Sequence, residues 1–209
     1  MYIPHAYRNE NRDELVAFMQ ANSFATLISV IDGAPVVSHV PLIVGVAGDE
    51  IVIRGHLAKA NPQREAFDGR EALAIFHGPH AYISPSLYDK YESVPTWNYI
   101  AVHATGVPRA TQIGEQPGEV ETMLRDMIAT YEPAYQQQWE SLDARFRDGM
   151  LRGIVGFSMT VTHLEGKYKL SQNRSDADRT RVAHALLESA DPVVAGVGEA
   201  MLHTFEQPE

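Results

Sequence analysis

Residues 53–65, IRGHLAKANPQRE, carry the densest chemical signal in the chain. A strand ending in Ile51, Val52 and Ile53 delivers His56 and Lys59 to Asn61-Pro62, an N-cap residue followed by a proline suited to the first helical position. A helix starting there presents unpaired backbone N–H groups and a partial positive charge, and Lys59 adds a full one. Together they suit a phosphate monoester. The same residues also read as a plain strand–turn–helix joint with a solvated lysine, and the segment alone does not separate the two.

Other chemistries find less support. The nine histidines include His77 and His80 flanking Gly78-Pro79, and His39 and His56 on neighbouring strand segments. No HExxH or other tight ligand spacing occurs and cysteine is absent, so no metal site is expected. Gly-x-Ser-x-Gly is missing, and Ser84 and Ser86 sit among prolines rather than at a nucleophile elbow. Neither GxGxxG after a strand nor a Walker A pattern is present. What stays is a planar cofactor with a terminal phosphate. It needs an anion pocket, backbone donors and acceptors along a strand, and an aromatic or apolar wall. The turn after His56 supplies the first. Ser38-His39-Val40-Pro41 supplies the second, because proline marks a strand edge or bulge. Tyr82, Tyr88, Trp97 and Tyr99 are candidates for the third, although any one aromatic is more often a core residue.

The elements that must position these residues follow from periodicity and turn signals. Residues 11–21 make an amphipathic helix with Leu15, Phe18 and Met19 on one face. Phe24 to Ile31 and Pro35 to Val44 form a hairpin across Asp32-Gly33, and Gly48-Asp49 turns into a third strand over Glu50 to Arg54. A helix after Pro62 runs to near Asp68-Gly69. Ala72 to Phe76 is a strand closed by Gly78-Pro79, Tyr82 to Pro95 a long loop, and Thr96 to Val107 a strand. Helices follow over 116–131 and around 134–147, then β-type alternation from Ile154 to Leu164. Ser175-Asp176-Ala177-Asp178 resembles a capping box opening a helix to about Glu188, and a last apolar stretch spans Pro192 to Phe205. Hairpin-linked strands with inserted helices and no βαβ alternation imply a mainly β, α+β fold: an antiparallel barrel or sheet with peripheral helices. One domain over residues 1–209 is expected, with a helical C-terminal segment from about 175.

Composition narrows the partners. With 27 acidic against 17 basic residues the net charge is −10, which disfavours broad binding to a nucleic-acid backbone. The densest basic patch is Lys167, Lys169, Arg174, Arg179 and Arg181, with acids among them. It reads as a solvated loop and helix face ahead of an anion site or partner surface. No apolar run reaches the roughly 18–20 residues of a membrane span, and no signal-peptide pattern opens the chain. A cytoplasmic protein without membrane contact is the expectation.

The segments MYIP, FATLIS, SHVPL, GHLAKANPQ, IFHGPHAYISPSLY, VPTWNY and KLSQNR, in that order from Met1 to about Arg181, resemble the PaiB-like FMN-binding negative transcriptional regulators of the flavin-binding split-barrel group. The resemblance implies a six-stranded split β-barrel, a homodimer, and FMN where two subunits meet. It would place Ser38, His39, Val40 and Pro41 along the flavin ring, and His56, Leu57, Ala58, Lys59 and Asn61 around the ribityl phosphate with Gln63 nearby. Tyr82 and Trp97 would shape an outer wall, and Lys169 and Gln172 would approach the same pocket. Relatives in the group commonly hold the phosphate with more cations, whereas Lys59 stands here with only Arg54 as a second candidate.

Three functions follow as expectations. The first is a flavin-binding regulator, with no tight sequence-specific DNA binding by this chain alone, because no basic recognition helix is evident. The second is an FMN-dependent oxidoreductase or flavin reductase, with no established proton donor; Tyr82, His80 and Lys169 are conceivable. The third is haem binding or degradation, with His39, His56, His77 or His103 as an axial ligand.

Overall fold

The hairpin across Asp32-Gly33 forms as its turn chemistry requires: both residues adopt positive φ, 51° and 81°, the left-handed pair that matches strand twist. It joins β2 (Phe24–Ile31) to β3 (Ala34–Pro41) in antiparallel register. The computed structural model describes residues 1–111 and 118–206. Among them lie β1 (Arg8–Asn9), β4 (Ile43–Ala47), β5 (Glu50–Ala58), β6 (Ala72–Ile83), β7 (Thr96–Thr111) and β8 (Ile154–Lys169). The sheet order is β3-β2-β6-β7-β8-β5-β4, with β1 added on β8. The helices are α1 (Arg12–Ala21), α2 (Glu119–Tyr131), α3 (Gln136–Ser141), α4 (Ala144–Leu151), α5 (Asp176–Leu187) and α6 (Pro192–Glu206). None of the described helices is long and apolar enough to cross a membrane.

The sheet is mainly antiparallel, as expected, but the described residues form eight strands rather than six. Two features make the difference. β1 is a two-residue strand paired with Gly166 and Lys167. The second is a change of partner at Leu42: β3 pairs with β2, whereas β4 pairs with β5. Pro41 still pairs with Phe24, and the Leu42 N–H donates to the Ser23 carbonyl at 2.9 Å, just ahead of β2, before the chain turns to β5.

Contacts gather the chain into two units. One takes Met19–Phe76 and Ala104–Leu164; the other takes Met1–Phe18, His77–His103 and the chain from Glu165 on. In the first, Leu27, Leu42, Ile53, Phe76 and Met159 are fully buried, each worth about 1.5–3 kcal/mol of burial. Gly106 is obligatory there, because a Cβ would run into the Thr160 backbone carbonyl. In the second unit, α5 and α6 pack Val182, Ala183, Val197 and Met201 against Ile83, Ile100 and Leu170. Phe18 of α1 sits over Gly78, where a Cβ would lie 2.6 Å from its ring.

Several boundaries move. β5 continues past Arg54 to Ala58, so His56 and Leu57 are strand residues paired with Gly156 and Val155. β6 runs through Gly78-Pro79 to Ile83 and carries Tyr82, which leaves a shorter loop; the space Phe18 needs explains the glycine inside a strand. β7 extends to Thr111 and β8 to Lys169, placing Lys167 and Lys169 on a strand. The helix expected around 134–147 is two helices parted at Leu142-Asp143, where Asp143 caps the second through Phe146 N–H. Of the helix expected over 116–131, residues 116 and 117 fall outside the described residues. Ser175 caps α5 through Asp178 N–H, but the Asp178 carboxylate turns to Asp89 N–H and Arg181 rather than completing a reciprocal box.

The largest correction concerns Pro62. The segment Pro62–Ala66 is a 3-10 turn of five residues, not an α-helix reaching Asp68-Gly69. Buried Phe67, extended and packed 5.0 Å from the Phe157 ring, pulls the chain out of helical geometry. Asp68 then fastens it to β7, donating its N–H to Pro108 O and accepting from Ala110 N–H. A single 3-10 turn has no appreciable macrodipole, so anion binding here rests on side chains and local N–H groups.

Candidate ligand-binding site

The segments expected to hold a cofactor meet within the first unit through Asn61. Its Nδ2 donates to Ser38 Oγ at 2.9 Å, and its Oδ1 accepts from Gln63 N–H at 2.9 Å. Gln63 is wholly buried, and its Nε2 donates to Leu27 O at 2.9 Å and Ser29 Oγ at 3.2 Å. The chain of bonds ties β3, β2 and the 3-10 turn into one frame. Strand alternation places Ser38 and Val40 on the inner face of β3, with His39 and Pro41 on the outer. His39 Nδ1 lies 3.1 Å from Thr26 Oγ1, and its ring stacks near Phe24.

On β5, His56 is half-buried and its Nδ1 has no hydrogen-bond partner among the described residues. Burial lowers its pKa from the usual imidazole range, favouring the neutral ring. Leu57 points into the core while Ala58 is exposed. Lys59 fixes its backbone by donating N–H to Gly153 O at 2.8 Å, and its exposed ammonium makes no ion pair among the described residues. Arg54, the second cation considered for the phosphate, is committed elsewhere: its Nη1 lies 2.8 Å from Asp126 Oδ2.

The remaining expected residues fall in the second unit. Trp97 and Tyr82 meet edge to face with centroids 6.1 Å apart, both half-exposed, and His80 lies 6.3 Å from Trp97. Trp97 lines a cavity of about 470 Å³ with His77, His80, Tyr99 and His103. Burial lowers the His103 pKa, helped by the Met1 ammonium and His77 and opposed by Glu165, which pairs with that ammonium at 2.7 Å. Lys169 lines another cavity, of about 190 Å³, and its Nζ contacts Thr96 Oγ1. Gln172 spends its amide on backbone, accepting from Leu170 N–H at 2.7 Å and donating to Tyr168 O.

Sequence reasoning missed Asn98 and Ser171 in that smaller cavity. Alternation with Trp97 and Tyr99 would have exposed the signal, since Asn98 occupies the inward position between two outward aromatics. The described residues hold no cluster of three or more His, Asp or Glu arranged as metal ligands. The arginines considered for DNA contact are neutralised: Arg179 pairs with Asp176 at 3.1 Å, and Arg181 with Asp89 and Asp178 at 2.7 and 3.0 Å.

Comparison with known proteins agrees with this architecture. The chain is 38% identical over 204 residues to Protease synthase and sporulation protein PAI 2 of Bacillus subtilis, covering 96% of each. In three dimensions it resembles the flavocytochrome of Azotobacter vinelandii, with a TM-score of 0.62 at 13% identity over 83% of this chain and 75% of that one. It also resembles the FAD and haem binding protein of Mycobacterium smegmatis, with a TM-score of 0.57 at 17% identity over 82% and 78%. At such identities these structures speak for the fold alone. A family model described as "Putative FMN-binding domain" matches residues 1–163, and with the Bacillus relative this shows that the chain belongs to that PaiB-like family.

Proposed function

We propose that this chain binds FMN as a split-barrel homodimer and that the flavin governs its action as a regulator. The observation that carries the reading is the 2.9 Å bond from Asn61 to Ser38, which joins the segment assigned to the flavin ring to the segment assigned to its phosphate. The residues fit the group. Among the described residues Lys59 makes no ion pair, and the buried Nδ1 of His56 has no hydrogen-bond partner. Ser38, His39, Val40 and Pro41 line the ring; His56, Leu57, Ala58, Lys59 and Asn61 surround the phosphate; Gln63 holds the frame. When bound, FMN supplies one- or two-electron transfer. The protein's own part is to orient the ring, neutralise the phosphate and limit water.

In this reading the six-stranded barrel consists of β2, β5, β6, β7, β8 and a bent β3–β4 pair whose joint at Leu42 closes the sheet. Dimerisation draws support from Phe24, Val30 and Val37, which stand 70%, 46% and 50% exposed on one face of the β2–β3 hairpin. Tyr82 and Trp97 then form the outer wall, contributed from across the dimer. Regulation proceeds through a protein or ligand partner rather than a recognition helix, because the arginines of α5 are held by acids.

The direct test is a fluorescence titration of FMN against wild type and Lys59→Ala. Removing one charge-assisted phosphate contact weakens binding by about 1.5–3 kcal/mol, roughly 10- to 150-fold. Equal affinity for both proteins would place the phosphate elsewhere. A second reading, an FMN-dependent oxidoreductase, is favoured by the aromatic and histidine cavity around Trp97. It requires flavin-dependent NADH or NADPH oxidation above that of free FMN. The imidazoles of that cavity also support haem binding, which a Soret band on titration would reveal and its absence would dismiss.

A further inference from the structure

The cavity of about 190 Å³ beneath the KLSQNR segment has features that the flavin reading leaves unused. Two cations line it, Lys169 and Arg174, and neither pairs with a carboxylate among the described residues. The contrast with their neighbours matters: in a chain of net charge −10, the acids of the following segment serve Arg179 and Arg181 instead. Arg174 Cζ lies 4.0 Å from the centroid of the Tyr88 ring, a contact that steadies its guanidinium, and Lys169 is steadied by Thr96.

Two buried polar atoms complete the cavity. Asn98 is fully buried; its Nδ2 donates to Ser171 Oγ at 2.9 Å and approaches Met201 Sδ at 3.5 Å. A thioether sulfur accepts but cannot donate, so the amide nitrogen faces it and Oδ1 is left as an acceptor without a partner among the described residues. The Tyr88 hydroxyl is likewise buried and has no partner among the described residues. Ser171 reaches Asn98 from a left-handed backbone conformation, φ 64°, which costs energy at a non-glycine residue. Buried acceptors without donors are rare and costly. A ligand that brings both an anion and a donor would satisfy every group named.

We propose that this cavity binds a small carboxylate bearing a hydroxyl or amino group, its carboxylate between Lys169 and Arg174 and its donor on Asn98 Oδ1. At about 190 Å³ the cavity suits a molecule the size of lactate or alanine rather than a flavin. Lys169 then leaves the flavin set, and the site shares no residue with the segments 38–41 and 56–63.

Calorimetric titration of the flavin-free protein with lactate, alanine and propionate tests the assignment. Lactate or alanine saturates the site, and propionate, lacking the donor, binds about tenfold weaker. Lys169→Met and Arg174→Gln each weaken binding at least tenfold, Lys169→Arg restores most of it, and Lys59→Ala leaves it unchanged. Near-UV circular dichroism confirms that each variant is folded. Three results would each overturn the proposal: no saturation by lactate or alanine up to tens of millimolar, affinity indifferent to both charge-removing variants, or propionate binding as tightly as lactate. Because FMN is absent throughout and Lys59 is the control, failure here leaves the flavin reading standing.

Discussion

Asn61 does two jobs, and two substitutions separate them. Asn61→Ala deletes the bond to Ser38 and the acceptor that caps the wholly buried Gln63. Loss of the cap costs about 0.5–2 kcal/mol. Ser38 is half-buried and re-solvates in part, so its bond adds about 0.5–1 kcal/mol. The expected total is about 1–3 kcal/mol, or a Tm lower by about 2–12 °C for a chain of this size. Asn61→Asp keeps the cap acceptor, and the Ser38 hydroxyl can rotate to donate to the new carboxylate, so stability holds within about 1 kcal/mol. Yet it sets a negative charge where the phosphate is placed. At an effective dielectric near 40, a like charge about 6 Å away opposes binding by on the order of 1.5 kcal/mol, or about tenfold. Thermal unfolding and FMN titration, run side by side, check both arms. If Asn61→Asp binds FMN as tightly as wild type while remaining folded, the phosphate does not sit at this turn. If Asn61→Ala unfolds at the wild-type temperature, the cap is not a structural element.

Two further outcomes follow from packing and burial. Gly106→Ala forces a methyl onto the Thr160 carbonyl and should cost about 1–3 kcal/mol in urea unfolding, whereas Gly55→Ala, meeting the side chains of Leu42 at 2.7 Å and Phe157 at 3.1 Å rather than backbone, costs less; a reversed order would show that β7 yields more readily than β5. His56 has a folded pKa below the unfolded value of about 6.5, so the unfolded state binds more protons and stability falls as pH drops from about 7.5 through the lowered pKa. His103 adds in the same direction, and His56→Gln should flatten the slope of unfolding free energy between about pH 7 and 5; an unchanged slope would assign the effect to other groups.

What could be read from residue order alone was whatever local chemistry decides. Asp32-Gly33 dictates its hairpin because positive φ is cheap there, and Asn61 and Ser175 cap the turns that follow them. The errors came where distant partners override local signals. Gly78-Pro79 looks like a strand end until Phe18 is seen to need the space above it. Pro62 looks like the start of a long helix until Phe67 is found buried against Phe157. The pairing of Asn61 with Ser38 and of Asn98 with Ser171 depends on strand register across 23 and 73 positions, which no short window contains.

The switch of partner at Leu42 bears on how the chain tolerates length change. An exposed loop tip such as Gly48-Asp49 accepts inserted residues more readily, since they lengthen the loop without changing which faces of β4 and β5 point inward. At Leu42 there is no such slack. One residue gained or lost beside it would turn β4 over, sending Val44 to the surface and Gly45 inward while β3 stayed in place. Insertional engineering of this protein therefore has an open position and a forbidden one only a few residues apart.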